Sequence, residues 1–442
     1  MNLHQATVAR AFWHYTLPSV AALMVSGTYQ IVDGIFVGHF VGGNGLAAIS
    51  LAWPLIGVLL AVGMMVGIGA GAHASIQLGA RQPNQAREYL IQALFLLMGF
   101  SVLLGVVLFF ISPLFLSFQG AEGEALLFGQ RYLNWMLAGT PIVLGSIALP
   151  LLVRNAGAPR LATLAMGLGA VANIALDALF LGYLGYGLEG AALATLLGEL
   201  LPVVLCLGYL FRRHSKLAIS WGQLVWQSQK AWHLLKTGFS SMLMYLYISF
   251  SIVLHNMLLL QHGTSLHVAA FSIAGYLMTF YYLLAEGVAG GMQPITSFYH
   301  GAEQKRKIQA SYRLACLIVL SVGLCFVLAV QWSPSFFAQF FISETDTALL
   351  ETTSHALRLF MLAMFLDGFL VITATWFQSL GQARPATMIT LGNMVIQVPF
   401  LLLLPQLLGI NGVWLAVPIS NVVLSSLVLI LVVRQWRRLG NG

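Results

Sequence analysis

The chain has 442 residues, of which 59% are hydrophobic and 7% charged, against about 25% charged in a soluble domain, so no aqueous fold has interior enough for this apolar surface. Basic residues outnumber acidic ones, 20 to 13, but they fall in short loops with no interleaved aromatic-basic face, which excludes a nucleic-acid surface. Cys206, Cys316 and Cys325 all lie in apolar runs and read as small buried hydrophobes, implying neither a metal cluster nor a disulfide framework.

The apolar runs are about 20 residues or longer, the length of a membrane-spanning helix and twice that of a barrel strand. Twelve helical spans are predicted, at 14–40, 47–78, 90–117, 130–153, 161–183, 190–211, 237–262, 269–298, 311–331, 356–380, 386–407 and 410–433. The first contains Asp33, is too long for a signal-peptide core and lacks a cleavage site, so it reads as a retained helix. In the second, Gly63, Gly67, Gly69 and Gly71 suit close helix packing. Without a following Lys-Ser/Thr they make no phosphate loop.

With these spans, 18 of the 20 basic residues fall on one side, among them Arg10, Arg81, Arg154, Arg213, Lys216, Lys305 and Arg384. Only Arg131 and Arg358 fall on the other, whose loops carry Glu122, Glu124, Glu344, Asp346 and Glu351. The positive-inside rule makes the basic side cytoplasmic and puts both termini there. Trp135, Trp332 and Trp436 lie near span ends, where tryptophan anchors a helix at the interface.

The chain also repeats itself. Residues 47–81 align without a gap on 269–303, and Ala47, Ala48, Ser50, Ala52, Leu55, Val66, Gly69, Ser75, Gly79 and Ala80 all recur 222 positions later. The stretch from Gly157 to Thr163 returns as Gly381 to Thr387, 224 positions on. The longest polar stretch, 212–236, separates the copies, giving an N-lobe at 1–220 and a C-lobe at 221–442. Six spans return a chain to its starting side. The expected fold is therefore an all-α membrane protein whose two six-helix bundles are related by a parallel pseudo-twofold repeat, an architecture of transporters whose lobes rock against each other.

Five acids sit well inside predicted spans: Asp33, Asp177, Glu199, Glu286 and Asp367. A charge at mid-helix costs about 2.5–3.5 kcal/mol on insertion scales, so each needs a partner, a wet cavity or a function. At about 1.5 Å per residue, Asp33, Asp177, Asn173 one turn below it, and Thr195 fall at one level in the outer part of the N-lobe. Two carboxylates, an amide oxygen and a hydroxyl form a hard-oxygen set, suited to a proton or a small cation such as Na⁺. Close carboxylates also repel, which favours a shared proton. The alternative is that each acid simply hydrogen-bonds to a neighbouring helix.

The C-lobe does not copy this set. His255 stands at the position matching Asp33, Leu401 at that matching Asp177, and Gln397 at that matching Asn173. Glu286 and Asp367 lie at mid-depth, either facing a cationic substrate or satisfied by an interhelical bond, and Glu199 sits one turn below Thr195. His255 reads as a packing residue before a proton carrier. Pro18, fifteen residues before Asp33, removes a helical donor and bends its span, either as a static kink or coupled to protonation of Asp33.

Several motifs resemble the multidrug and toxic compound extrusion (MATE) family. They are Leu17-Pro18-Ser19 with Val32-Asp33-Gly34-Ile35-Phe36-Val37-Gly38, Gly79-Ala80-Arg81, Arg154-Asn155-Ala156-Gly157, and Gly187-Leu188-Glu189-Gly190. The resemblance covers essentially the whole chain. It implies that Asp33, Asn173, Asp177 and Thr195 match the N-lobe cation site of the DNA-damage-inducible-type bacterial and archaeal branch, and that Pro18 matches its bending proline. It further implies an antiporter of the cytoplasmic (inner) membrane of a prokaryote, exporting organic, often cationic compounds against H⁺ or Na⁺. The other bacterial branch places a glutamate where His255 falls here.

The expectation is thus a cation-coupled exporter working by alternating access, with a small-molecule substrate, the bilayer as its surroundings, no cofactor beyond the coupling ion, and action as a monomer. A lipid-linked saccharide flippase would need interior Arg and Lys, which the spans lack. A membrane-embedded transferase would need a compact His-Asp set near one interface; a passive channel is a further alternative, but the lobe repeat and lone buried acids suit coupled exchange better.

Overall fold

The computed structural model describes residues 3–118, 123–212, 217–341 and 347–440. Arg213, Lys216, Glu122, Glu344 and Asp346, and the side chain of Glu124, lie outside the described residues. The rest is helical: α1 Val8–Phe40, α2 Gly43–Gly79, α3 Pro83–Phe118, α4 Gly123–Ala138, α5 Thr140–Asn155, α6 Pro159–Asp177, α7 Gly187–Phe211, α8 Ser228–His262, α9 Ser265–Gly301, α10 Lys305–Trp332, α11 Pro334–Gln339, α12 Thr347–Phe360, α13 Met364–Ser379, α14 Ala383–Leu408 and α15 Ile410–Gly440.

Ten of these helices are long and apolar enough to cross a membrane, and the pairs α4–α5 and α12–α13 bring the count to twelve if each is one broken span. The pairs are bent by 59° and 47° and fall on predicted spans four and ten. Gly139 and Pro141 cause the first break: proline removes a donor, and a methyl on Gly139 would collide with Leu196 of α7. Span one begins earlier than expected, at Val8, held by the Thr7 hydroxyl accepting from the Arg10 amide. Large apolar side chains such as Phe118 and Trp332 point outward, as a lipid solvent allows. Cys325 belongs with them and is exposed, against the expectation that all three cysteines are buried. It stands on the outer face of α10, where lipid asks nothing of a thiol.

Two apolar cores form, one around α2–α7 and one around α8–α15. The helix starts are exchanged between them: Phe12 of α1 packs in the second core and Leu234 of α8 in the first. These two residues are matched at the 222-residue offset. The repeat is also written in the backbone. Arg81 and Glu303, after α2 and α9, take the left-handed conformation (φ 60° and 57°), as do Gly157 and Gly381 (φ 95° and 67°).

Lipid tails are as apolar as the side chains, so helices gain little by hiding from them and associate through close packing instead. Glycine makes that approach possible at the crossings between the halves. A methyl on Gly79 would overlap the Phe298 carbonyl oxygen, and one on Gly301 the Ile76 carbonyl oxygen. The same relation holds for Gly69 against Leu234 and Gly238 against Met65. On the other side of the pseudo-axis a methyl on Gly287 would come 2.7 Å from Val20, and one on Gly291 would overlap Thr16. All these crossings lie at the end of the molecule that carries the arginine-rich loops, so the halves are joined there.

Candidate functional site

In the first half, α1 and α6 bring Asp33 and Asp177 within hydrogen-bonding reach of each other. Asp177 and Asn173 are fully buried, and neither Asp177 oxygen, neither Asn173 polar atom, nor Asp33 Oδ1 has a hydrogen-bond partner among the described residues. A buried polar group without a partner costs about 1–3 kcal/mol. Five such atoms on two neighbouring helices are an arrangement that structure alone does not reward. Two facing carboxylates have acceptors only, so a shared proton or a small cation is the natural complement.

The helix carrying Asp177 is built for this. Regular α-helix stops at Asp177 and a π-helical turn, Ala178–Tyr183, takes over. π-turns are rare and concentrate at functional sites because they misalign the ladder and re-aim side chains. Nothing in the residue pattern signals it. On the other side, α7 comes close because position 198 is glycine: a methyl there would come 2.7 Å from Asn173 Cβ. We expect Gly198→Ala to push α7 off Asn173 at a cost of about 1–3 kcal/mol, seen as a lower melting temperature together with weaker export.

Thr195 lies one turn before Glu199 on α7, partly buried, with its hydroxyl donating to the Ala191 carbonyl (2.9 Å). Its oxygen lone pairs stay available, but among the described residues no hydrogen bond joins it to the aspartate pair. Glu199 lies beside Ser146. The phenols of Tyr29 and Tyr132 stand in the field of Asp33 and Glu199, and Tyr132 also in that of Asp177. Sequence reasoning missed both tyrosines. Tyr29 was legible, being one helical turn before Asp33, whereas Tyr132 comes from α4 and only the fold brings it in.

The matching region of the second half is neutral and largely hydrogen-bonded, with His255 Nε2 alone of its ring nitrogens lacking a partner among the described residues. Tyr247 donates to Gln397 Oε1 (2.5 Å), Gln397 Nε2 reaches Ser251 Oγ (3.4 Å), and His255 Nδ1 donates to the Ser251 carbonyl (2.7 Å). The buried His255 ring stacks on Phe271 at 4.9 Å and meets Phe360 edge-on. Asp367 stands in the first turn of α13, directly after the break, where a helix N-terminus favours negative charge. It accepts from Asn421 Nδ2 (2.8 Å) and faces the Tyr282 hydroxyl. Glu286 accepts from Tyr245 (3.3 Å). Of the acids singled out in the sequence, Asp33 and Asp177 come together, while Glu286 meets Tyr245 and Asp367 meets Tyr282 and Asn421 in separate places.

Pro18 leaves the His14 carbonyl without its helical donor, yet α1 runs through unbroken. The Thr163 hydroxyl of α6 donates to the Pro18 carbonyl (2.7 Å), a cross-link between the two helices that bear the aspartates. At the joined end, the buried Arg154 donates to Ser19 (2.9 Å). Asn155 accepts from Ser75 (2.7 Å) and donates to Gln293 of α9 (3.0 Å), tying one half to the other.

The MatE family model matches residues 18–179 and 239–403, once in each half and over most of the chain, and the chain belongs to that family. It is a multi-pass membrane transporter and not an enzyme, which sets aside the transferase reading. The multidrug export protein MepA of Staphylococcus saprophyticus is 24% identical over 411 residues, spanning 92% of this chain and 90% of its own length. Among solved structures, the outward-facing conformation of a multidrug resistance MATE family transporter of the MOP superfamily superposes with a TM-score of 0.93 at 26% identity, over 99% of this chain and 98% of that one. A MATE structure in a bent conformation follows with a TM-score of 0.92 at 25% identity, over 99% and 98% of the two chains.

Proposed function

We propose that this chain is a proton- or sodium-coupled antiporter of a prokaryotic cytoplasmic membrane, exporting organic cationic or amphipathic compounds by alternating access. The observation that carries the reading is the Asp33–Asp177 pair, buried beside an unpartnered Asn173 and lacking any protein donor for its facing oxygens. The two lobes, 1–220 and 221–442, are joined at the basic end. If that end is cytoplasmic, the molecule is open outward, in keeping with the outward-facing relative it superposes on.

From outside, a cation enters between Asp33 and Asp177, with the Asn173 amide oxygen and the Thr195 hydroxyl as further oxygen donors. Neutralising the pair removes their repulsion and lets α1 draw towards α6. The Thr163–Pro18 bond and the missing donor at Pro18 mark where α1 yields. The N-lobe pocket narrows, bound substrate leaves outward, and the lobes reorient to release the cation inside. In the C-lobe, Glu286 and Asp367 with their tyrosines supply negative charge and aromatic faces for a cationic substrate. His255, sealed among aromatics, takes no part in the ion path.

Purified protein in proteoliposomes tests this with a fluorescent organic cation and one gradient at a time. Uphill substrate movement driven by an imposed pH or sodium gradient supports the proposal and names the ion. Equal, merely downhill movement under both gradients rejects it in favour of a passive pathway.

A further inference from the structure

Where α1 and α6 part at their basic ends, a lateral cleft of about 1220 Å³ opens beside Pro18. Its mouth carries Arg10 and Arg160, and His14 lies in the field of both. The ion pairs among the described residues are Arg131–Glu189 and Lys230–Glu88, so neither arginine is neutralised, and no carboxylate lines the cleft. Deeper in, the walls are apolar: Trp13, Leu17 and Leu164 present 44%, 62% and 58% of their surface.

The cleft therefore changes character along the membrane normal. Cationic donors stand at the interface level, and greasy walls run about 16 Å further in to Ala21, at 1.5 Å per helical residue. A free anion would use only the mouth, and a cationic drug is repelled there. We infer that the α1–α6 cleft is a binding site for one anionic phospholipid of the adjoining leaflet, the cytoplasmic one under the positive-inside rule, its phosphate held by Arg10 and Arg160 and an acyl chain laid along Leu17 and Leu164. Charge complementarity and depth both select this occupant. The lipid lies against the wall that holds the Thr163–Pro18 bond, so its presence bears on how readily α1 separates from α6 at the proline.

The test is a titration of the purified full-length protein with phosphatidylglycerol or phosphatidylcholine, read by native mass spectrometry. One phosphatidylglycerol should bind in preference to phosphatidylcholine. Each basic side chain near a membrane surface contributes about fivefold in affinity for anionic lipid, so Arg10→Gln with Arg160→Gln should weaken phosphatidylglycerol by about 25-fold. Arg437→Gln with Arg438→Gln, exposed at the end of α15, should leave it unchanged. Ala21→Phe, which keeps both cations and fills the apolar floor, should weaken it too. Equal binding of the two lipids, a loss of equal size in the α15 control, or full binding by the Arg10/Arg160 double variant overturns the inference. Displacement of the lipid by millimolar glycerol phosphate does the same, by showing a site for the anion alone.

Discussion

Asp33→Asn is expected to abolish export while leaving insertion into the membrane intact. The change keeps the shape of the side chain and removes its charge. Asparagine can donate to Asp177, so the facing oxygens gain a permanent partner and no longer need an ion. Coupling free energies between sites usually amount to about 1–3 kcal/mol. Losing all of it places the variant at the upper end, about a hundredfold down in drug resistance or vesicle efflux. Asp177→Asn should behave alike, because either carboxylate alone has lost its counterpart. Both proteins should appear in the membrane at normal levels and melt no lower than the parent, since burying one charge fewer is not a structural burden. Normal resistance in either variant would remove the aspartate pair from the transport cycle.

The second large effect concerns the joint between the halves. Gly79 and Gly301 are matched across the pseudo-axis, and each lies against a carbonyl oxygen of the opposite helix. Alanine at both positions puts a methyl where backbone already stands, and α2 and α9 must move apart. Overpacking of this kind costs about 1–3 kcal/mol per site, which shifts a two-state balance tenfold or more towards the form with this end open. A cysteine at Ser297, buried at the joint, reports the change. In the glycine-to-alanine double variant it should react with a cytoplasm-side thiol reagent at least ten times faster than in the parent background. Unchanged labelling together with unchanged export would show that the joint does not open in the cycle.

Much of this was legible because the repeat imposes the same backbone twice. The offset of 222 predicted that Gly79 and Gly301 play one role, and they do, down to the left-handed residues Arg81 and Glu303 that follow two positions later. The helices outran their predicted limits, α8 starting at Ser228 rather than 237, but the span count came from hydropathy, since each span must carry enough apolar residues to cross the lipid. The breaks in spans four and ten did not, because a run of apolar residues looks the same straight or bent. Pro141 marked the first break, whereas nothing at Met361-Leu362-Ala363 signals the second. Helical depth put Asp33 and Asp177 at one level, but depth carries no information about rotation. Thus it could not separate Asp33 and Asp177, which meet, from Thr195, for which no such contact is seen. Nor does it reveal a π-turn, which needs the packing of α1, α6 and α7 to form. The partners of Glu286 and Asp367 escaped for the same reason: Tyr245, and Tyr282 with Asn421, arrive from other helices.

The central claim is that an ion and a substrate compete through the Asp33–Asp177 pair. Its most direct measurement is equilibrium binding of a fluorescent organic cation to the purified protein, at low and high pH and with and without sodium, for the parent and for Asp177→Asn. The account predicts that protons or sodium weaken substrate binding at least tenfold in the parent and leave binding to Asp177→Asn unaffected. Substrate affinity that ignores both ions in the parent, or competition that survives in Asp177→Asn, would contradict it.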